Sequence, residues 1–142
     1  MVGHNWGGPF GLYAAQQRPE RFERLVLANT WAWPLNGDLS SEVFSRGMGN
    51  PIGRALTTRL NLLVNYFIPS AHKRRKLSDA EMGHYRQAAP TPERRHAAAM
   101  LPGELVGARE FFTSLADRLG TVDKLPTLIV WADTDPIFTT KY

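Results

Sequence analysis

The sequence predicts an α/β fold in which a parallel-sheet core is interrupted by a large all-helical insertion. Three observations predict it. Glycines spaced around residues 3–8 fit a tight strand-to-helix turn, and Leu25-Val26-Leu27-Ala28 is a short unbroken apolar run. Residues 34–108 repeat no such strand-helix-strand pattern, yet they carry helix signals throughout.

The turn comes first. In Gly3-His4-Asn5-Trp6-Gly7 the small residues two before and two after Asn5 have the frame of a nucleophile elbow. Such an elbow lifts its central side chain above a sheet on a strained turn. The turn opens a helix, so the Trp6 N–H and the helix N-terminus point toward charge developing beside residue 5. The alternative is a glycine-rich connection without chemistry.

Behind the turn, Phe10 to Gln17 reads as a helix with Pro9 near its first turn. Pro19 disfavours helical geometry at Arg18 and closes it. Leu25 to Ala28 then has the unbroken apolar character of a strand buried on both faces of a parallel sheet, completing one βαβ unit.

A structureless loop spanning residues 34–108 would be implausible in a compact domain. Asn50-Pro51 can start a helix with Leu56, Leu60, Leu63, Val64 and Phe67 on one apolar stripe, stopped by Pro69. Ser78-Asp79-Ala80-Glu81 fits a capping box. Thr91-Pro92 starts a further helix through Arg94 to Met100, ended by Pro102-Gly103. Arg109 to Leu119 then places Phe111, Phe112, Leu115 and Leu119 on one face, and Gly120 ends that helix before the chain returns to the sheet.

Composition narrows the class. At 142 residues and 43% hydrophobic, the chain can bury one modest core. It has no cysteine, which removes disulfide frameworks and thiolate metal sites. No apolar run is long enough to span a membrane, and the N-terminus begins directly with the elbow rather than a leader, so a cytoplasmic protein is expected. The formal charge is +4, with a basic run from Lys73 to Lys76 beside His72. Without an aromatic stacking platform that run reads as a solvated helix end, and no nucleic-acid partner is expected. No His, Asp and Glu cluster has metal-ligand spacing, and no phosphate-binding glycine loop exists apart from the elbow, so neither metal nor organic cofactor is expected.

The stretch VGHNWGGPFGLYAAQQRPERFERLVLANTWAWP resembles the α/β-hydrolase superfamily and, within it, the haloalkane dehalogenase branch. Members typically carry Asp-Trp-Gly at the elbow; Trp6 and Gly7 match, and Asn5 stands where the Asp belongs. Leu125-Pro126-Thr127-Leu128-Ile129-Val130-Trp131-Ala132-Asp133-Thr134-Asp135-Pro136 is similar to the strand and loop that present the catalytic acid. Asp135 matches that acid, with Asp133 the less favoured choice; Asn29 stands where some dehalogenases place the acid instead. The resemblance implies a partial α/β-hydrolase fold, its parallel sheet core incomplete, with an inserted all-helical cap. It divides the chain into a core segment at 1–33, a helical cap at 34–108, and a core helix with the acid-bearing strand and loop at 109–142.

The implied chemistry is attack of an Asp carboxylate on a halogen-bearing carbon, giving a covalent ester that a His-activated water hydrolyses. Indole N–H groups donate to the departing halide, because an unsolvated anion in a dry pocket is otherwise costly. Trp6 matches the elbow donor. Trp31 and Trp33 follow the second strand and either line the pocket mouth or pack cap against core. The implied partner is a small halogenated or otherwise apolar substrate.

Three departures matter. Asn5 has nearly the shape of Asp without its charge. The histidines are His4, His72, His84 and His96, and none follows Asp135 as the family's base does. Strands that precede the elbow strand in this fold are not in the sequence. The expectation is therefore an internal segment of a longer hydrolase, inactive as it stands, with the missing strands supplied by further chain or by a partner. Two alternatives stay open. Epoxide hydrolases share the Asp-Trp-Gly elbow and a capped architecture, and they would need a tyrosine pair such as Tyr66 and Tyr85. A non-enzymatic descendant would keep the pocket and lose the nucleophile.

Overall fold

The computed structural model describes residues 1–135, 138 and 139. Pro136 of the acid loop, and residues 137 and 140–142 of the third expected segment, lie outside the described residues. The chain divides into two compact units, one comprising Met1–Pro34 with Ala108–Tyr142 and the other Leu35–Gly107.

The first unit holds β1 (Val2–His4), α1 (Gly7–Gln17), β2 (Leu25–Ala28), and later α7 (Arg109–Asp117) and β3 (Thr127–Val130). The strands are parallel in the order β1-β2-β3. Gly3 pairs with Leu27, and Leu27 in turn with Ile129. Helices α1 and α7 are joined by the Gln16 amide, which donates to the Leu115 carbonyl at 2.8 Å. Leu12, Ala15, Leu25, Phe112 and Leu115 form the buried core.

Burial on both faces holds for only part of β2: Leu25 is 2% exposed, and the other three residues are half-buried. Every residue of β3 is exposed. The reason is geometric, since β2 has a neighbour on each side while β3 has only one among the described residues. Helix α7 ends at Asp117, and Leu119–Thr121, with Gly120 inside it, forms a 3-10 turn rather than a continuation.

The Leu35–Gly107 unit is all-helical: α2 (Leu39–Gly49), α3 (Pro51–Leu60), a π-helical segment (Leu63–Phe67) running into α4 (Ile68–Ala71), α5 (Asp79–Ala88) and α6 (His96–Gly107). Sequence reading passes over α2, although its cap was there to find. The Asp38 carboxylate accepts from the Ser41 N–H at 2.8 Å, an N-terminal signature ahead of Leu39-Ser40-Ser41-Glu42.

The expected helix from Asn50 to Phe67 is broken. Asn50 does cap it, accepting from the Gly53 N–H at 2.9 Å, but Asn61 turns left-handed at φ 51° and ends α3. The expected apolar stripe is divided: Leu63, Val64 and Phe67 are half-buried, while its α3 part turns outward. Gly53 and Thr57 are buried, while Ile52, Leu56 and Leu60 are exposed. A Cβ at Gly53 would overlap the backbone of Gly47 and Met48. Close approach to α2 therefore selects the smallest face of α3 for the interior. Pro69 stops nothing: the chain stays helical through it, passing from the π-helical segment into α4 and ending at Ala71.

Pro102 likewise does not end its helix but lies buried inside α6. The crossing with α2 outweighs the lost hydrogen bond. A Cβ on Gly49 would come within 2.6 Å of the Gly103 Cα, so the backbones meet there. The Ser45 hydroxyl donates to the Gly103 carbonyl at 3.0 Å. Instead of starting at Thr91-Pro92, the chain makes a 3-10 turn at Glu93–Arg95 before α6 begins.

The capping box at α5 forms as the sequence predicts. The Ser78 hydroxyl accepts from the Glu81 N–H at 3.3 Å, and the Glu81 carboxylate accepts from the Ser78 N–H at 2.8 Å. Arg75 adds a bidentate pair to that carboxylate at 2.6 and 2.9 Å. The Arg75 hydrogen bonds, then those from Ser78, hold the Glu81 carboxyl well below the usual carboxylate range. A lowered folded-state pKa means these contacts support the helix start above about pH 4.3, the ordinary value, and are lost as pH falls through the lowered one. Carboxyl NMR of Glu81 should thus show a low midpoint that rises in Arg75→Gln. An ordinary midpoint in the unaltered chain would show that the pair does not form in solution.

Candidate active site

The elbow forms, with its strain at the central residue. Asn5 follows β1 at φ 50°, in the left-handed region that a non-glycine residue enters only at a cost. Three hydrogen bonds hold its backbone there. Its N–H donates to the Asn29 carbonyl at 3.2 Å, and its carbonyl accepts from the Gly8 N–H at 3.0 Å and from the Thr30 hydroxyl at 2.7 Å. Its side-chain oxygen accepts from the Trp6 N–H at 2.7 Å. That contact fixes the amide orientation, because only an oxygen can face a donor.

Clearance for the turn comes from Gly3 and Gly8 rather than from Gly3 and Gly7. A Cβ on Gly3 would sit 2.9 Å from the Gly8 Cα, and one on Gly8 would lie 2.7 Å from the Thr30 Cβ and overlap its hydroxyl. At Gly7 a Cβ would meet nothing within 4 Å. Thr30 is the supporting residue that sequence reading missed. Its position one after Asn29 carries no local signal, because the contact crosses from one strand end to the next.

Asn29 connects the elbow to the acid loop. It is 6% exposed and left-handed at φ 35°. Its side-chain oxygen accepts from the Ala132 N–H at 2.9 Å, while its NH2 donates to the carbonyls of Ala132 and Phe138 at 3.3 Å each. Ala132 in turn accepts from the Asp135 N–H at 3.3 Å. Asn5, Asn29 and Asp135 therefore gather beyond the carboxyl ends of three adjacent parallel strands, where open α/β sheets bind ligands.

Asp135 is half-buried, and one carboxylate oxygen accepts from the Phe138 N–H at 2.9 Å. Asp133 is exposed. The structure thus gives the two aspartates different surroundings, and Asp135 is the one built into the loop.

The three tryptophans separate. Trp6 is half-buried and meets Trp31 edge-on at 5.0 Å, Phe10 at 5.6 Å and Phe112 at 5.8 Å. Trp31 is 1% exposed and stacks on Phe138 at 4.8 Å. Its indole N–H is buried and finds no hydrogen-bond partner among the described residues. Trp33 is exposed. With Trp131, Leu27 and Ile129, both Trp31 and Trp33 line an apolar cavity of about 350 Å³. Asn5, Trp6 and Asp135 are not among its lining residues.

His4 is exposed at the end of β1, and His72, His84 and His96 are exposed residues of the helical unit. Among the described residues no three His, Cys, Asp or Glu side chains are grouped to hold a metal. None of the helices there is long and apolar enough to cross a membrane.

A strained residue between a parallel strand and a helix, with an aspartate loop after the next strand but one, defines a hydrolase-type α/β architecture. The chain belongs to the α/β hydrolase fold family, whose sequence pattern matches residues 1–142. Within that family it is similar to haloalkane dehalogenases. It is 35% identical over 141 residues to haloalkane dehalogenase 2 of Mycobacterium bovis, covering 99% of this chain and 49% of that protein. With the haloalkane dehalogenase of Mycolicibacterium smegmatis it shares 31% over 146 residues, covering 94% and 45%. The structure matches haloalkane dehalogenase DbeA from Bradyrhizobium elkani with a TM-score of 0.77 at 25% identity, over 96% of this chain and 52% of that one. An ancestral haloalkane dehalogenase matches at 0.79 over 99% and 54%, with 24% identity, a likeness of fold. The chain spans about half the length of the curated relatives it matches.

Proposed function

We propose that Asn5, Trp6 and Asp135 belong to a dehalogenase-type site for small halogenated alkanes, and that the amide at position 5 leaves this chain able to bind but not to react. The observation that carries this reading is the left-handed Asn5, pinned by Asn29, Gly8 and Thr30, with its side-chain oxygen on the Trp6 N–H. In this reading residues 34–108 act as the cap over the site.

An aspartate at position 5 would keep one oxygen on the Trp6 N–H, which stabilises the anion, and leave the other to attack. A carboxylate C–O bond would form as the carbon–halogen bond breaks, the halide leaving with the electron pair. The amide of Asn5 cannot do this, because its lone pairs are delocalised and it bears no charge. Release of the alcohol then needs water activated by a base. In this reading Asp135 is the group that would orient such a base.

The test is intact-mass spectrometry of Asn5→Asp after exposure to a primary bromoalkane. The expected result is one added alkyl group at residue 5, with one equivalent of bromide released, and no adduct on the unaltered chain. A folded Asn5→Asp chain that gains no alkyl group would refute the dehalogenase reading of the elbow.

A further inference from the structure

We infer that the helical unit carries an oxyanion site of its own, built on Arg59 and Arg86 and suited to a phosphate group, independent of the dehalogenase reading above. The excess charge of the chain lies in this unit. Residues 35–107 contain ten Lys and Arg against six Asp and Glu, and the remainder has seven of each. Arg59, Arg86, Arg95, Asn61, Asn65 and Gln87 line a concave site of about 360 Å³, and no carboxylate lines it among the described residues.

Arg95 is a structural member. Its guanidinium donates to the carbonyls of Ala89 at 2.8 Å, Pro90 at 2.5 Å and Thr58 at 3.1 Å, so one side chain closes the C-terminal ends of α5 and α3. The partial negative charge of those helix ends offsets much of its own. Glu93 also senses it: the Thr91 hydroxyl first, and the charge of Arg95 last, hold that carboxyl below the usual range. Glu93 lies outside the lining. Arg59 and Arg86 are left as the uncompensated pair.

Arg86 is aimed rather than free. The Asn65 NH2 donates to the Leu60 carbonyl at 2.9 Å, and the Asn65 oxygen accepts from Arg86 Nε at 2.9 Å. With Nε anchored, the two terminal nitrogens present the planar fork that matches two oxygens of a phosphate or carboxylate. Neither Arg86 nor Arg59 has a carboxylate partner among the described residues. Two arginines lining one concavity favour a dianion over a monoanion, since field lines concentrate within it.

The test titrates the 142-residue chain with inorganic phosphate and, separately, with glycerol 3-phosphate, each against chloride at matched ionic strength. Arginine Nε–H NMR signals and thermal unfolding are followed together. The expected result is saturable binding that shifts the Arg86 Nε–H signal, with the tighter ligand showing whether the source is free phosphate or a phosphomonoester. Affinity should fall about tenfold in Arg86→Gln, and in Asn65→Leu, which keeps the charge and loses the aim. Arg59→Gln, an exposed substitution, serves if the others do not fold. A chloride response equal to that of phosphate, or unchanged affinity in these variants, would overturn the proposal.

Discussion

Phe112→Ala is expected to destabilise the sheet-bearing unit by about 3–5 kcal/mol, the usual range for truncating a buried aromatic. Phe112 is 0% exposed and lies between Trp6 at 5.8 Å, Trp31 at 5.5 Å and Phe111 at 5.2 Å. Removing the ring opens a void against two indoles, and the elbow and α7 each lose a partner. The flanking rings are held by α1 and by the strand end, so the site has little freedom to collapse. That loss is a large part of the whole stability of a domain, about 5–15 kcal/mol. Urea unfolding followed by tryptophan fluorescence measures it. Phe112→Leu, which refills most of the volume, should recover more than half. A loss below about 1 kcal/mol for the alanine variant would mean that the aromatic cluster is not packed as described.

Replacing Asn29 should also destabilise this unit, by a different route. Asn29→Leu takes the side-chain acceptor from the Ala132 N–H and one donor from each of the carbonyls of Ala132 and Phe138, which keep the Asp135 N–H and the Trp131 indole N–H. A polar group left unpaired costs about 1–3 kcal/mol where water cannot replace its partner, and because Ala132 is exposed the loss at its N–H lies at the low end of that range. Leucine also adopts φ 35° less readily than asparagine. Asn29→Asp separates these effects through pH. One oxygen can still accept from the Ala132 N–H, but the other would face two carbonyl oxygens, so the folded state favours the protonated acid. The folded-state pKa is then raised above about 3.9, its unfolded value. Stability of Asn29→Asp should be highest below that value and fall as pH rises through the raised one, whereas the leucine variant should show no such dependence. Equal pH profiles for the two variants would refute the contact set assigned to Asn29.

How much of this was legible in the sequence differs from element to element. The helix caps at Ser78 and Asn50 were readable because a capping side chain bonds a backbone N–H only three residues on. The βαβ unit was readable because Leu25 to Ala28 is an unbroken apolar run behind a glycine turn. Where helices pack closely, the sequence misled. Pro102 looks like a stop and Leu56 looks like core, yet Pro102 lies inside α6 and Leu56 is exposed. In both cases a close backbone crossing, at Gly103 against Gly49 and at Gly53 against Gly47, decided which face turned inward.

The candidate site divides in the same way. Sequence alone determined the type of turn at Gly3–Gly7, the neutral amide at its centre and the aspartates after the third strand, because each is a matter of residue identity and local order. Only the tertiary structure decided that Gly8 rather than Gly7 gives the turn its clearance, that Thr30 and Asn29 hold Asn5 in place, and that Trp31 is buried among aromatic rings while Trp33 is exposed. Those outcomes depend on neighbouring parallel strands bringing residues far apart in the chain into hydrogen-bond and van der Waals contact. No local pattern encodes such distances.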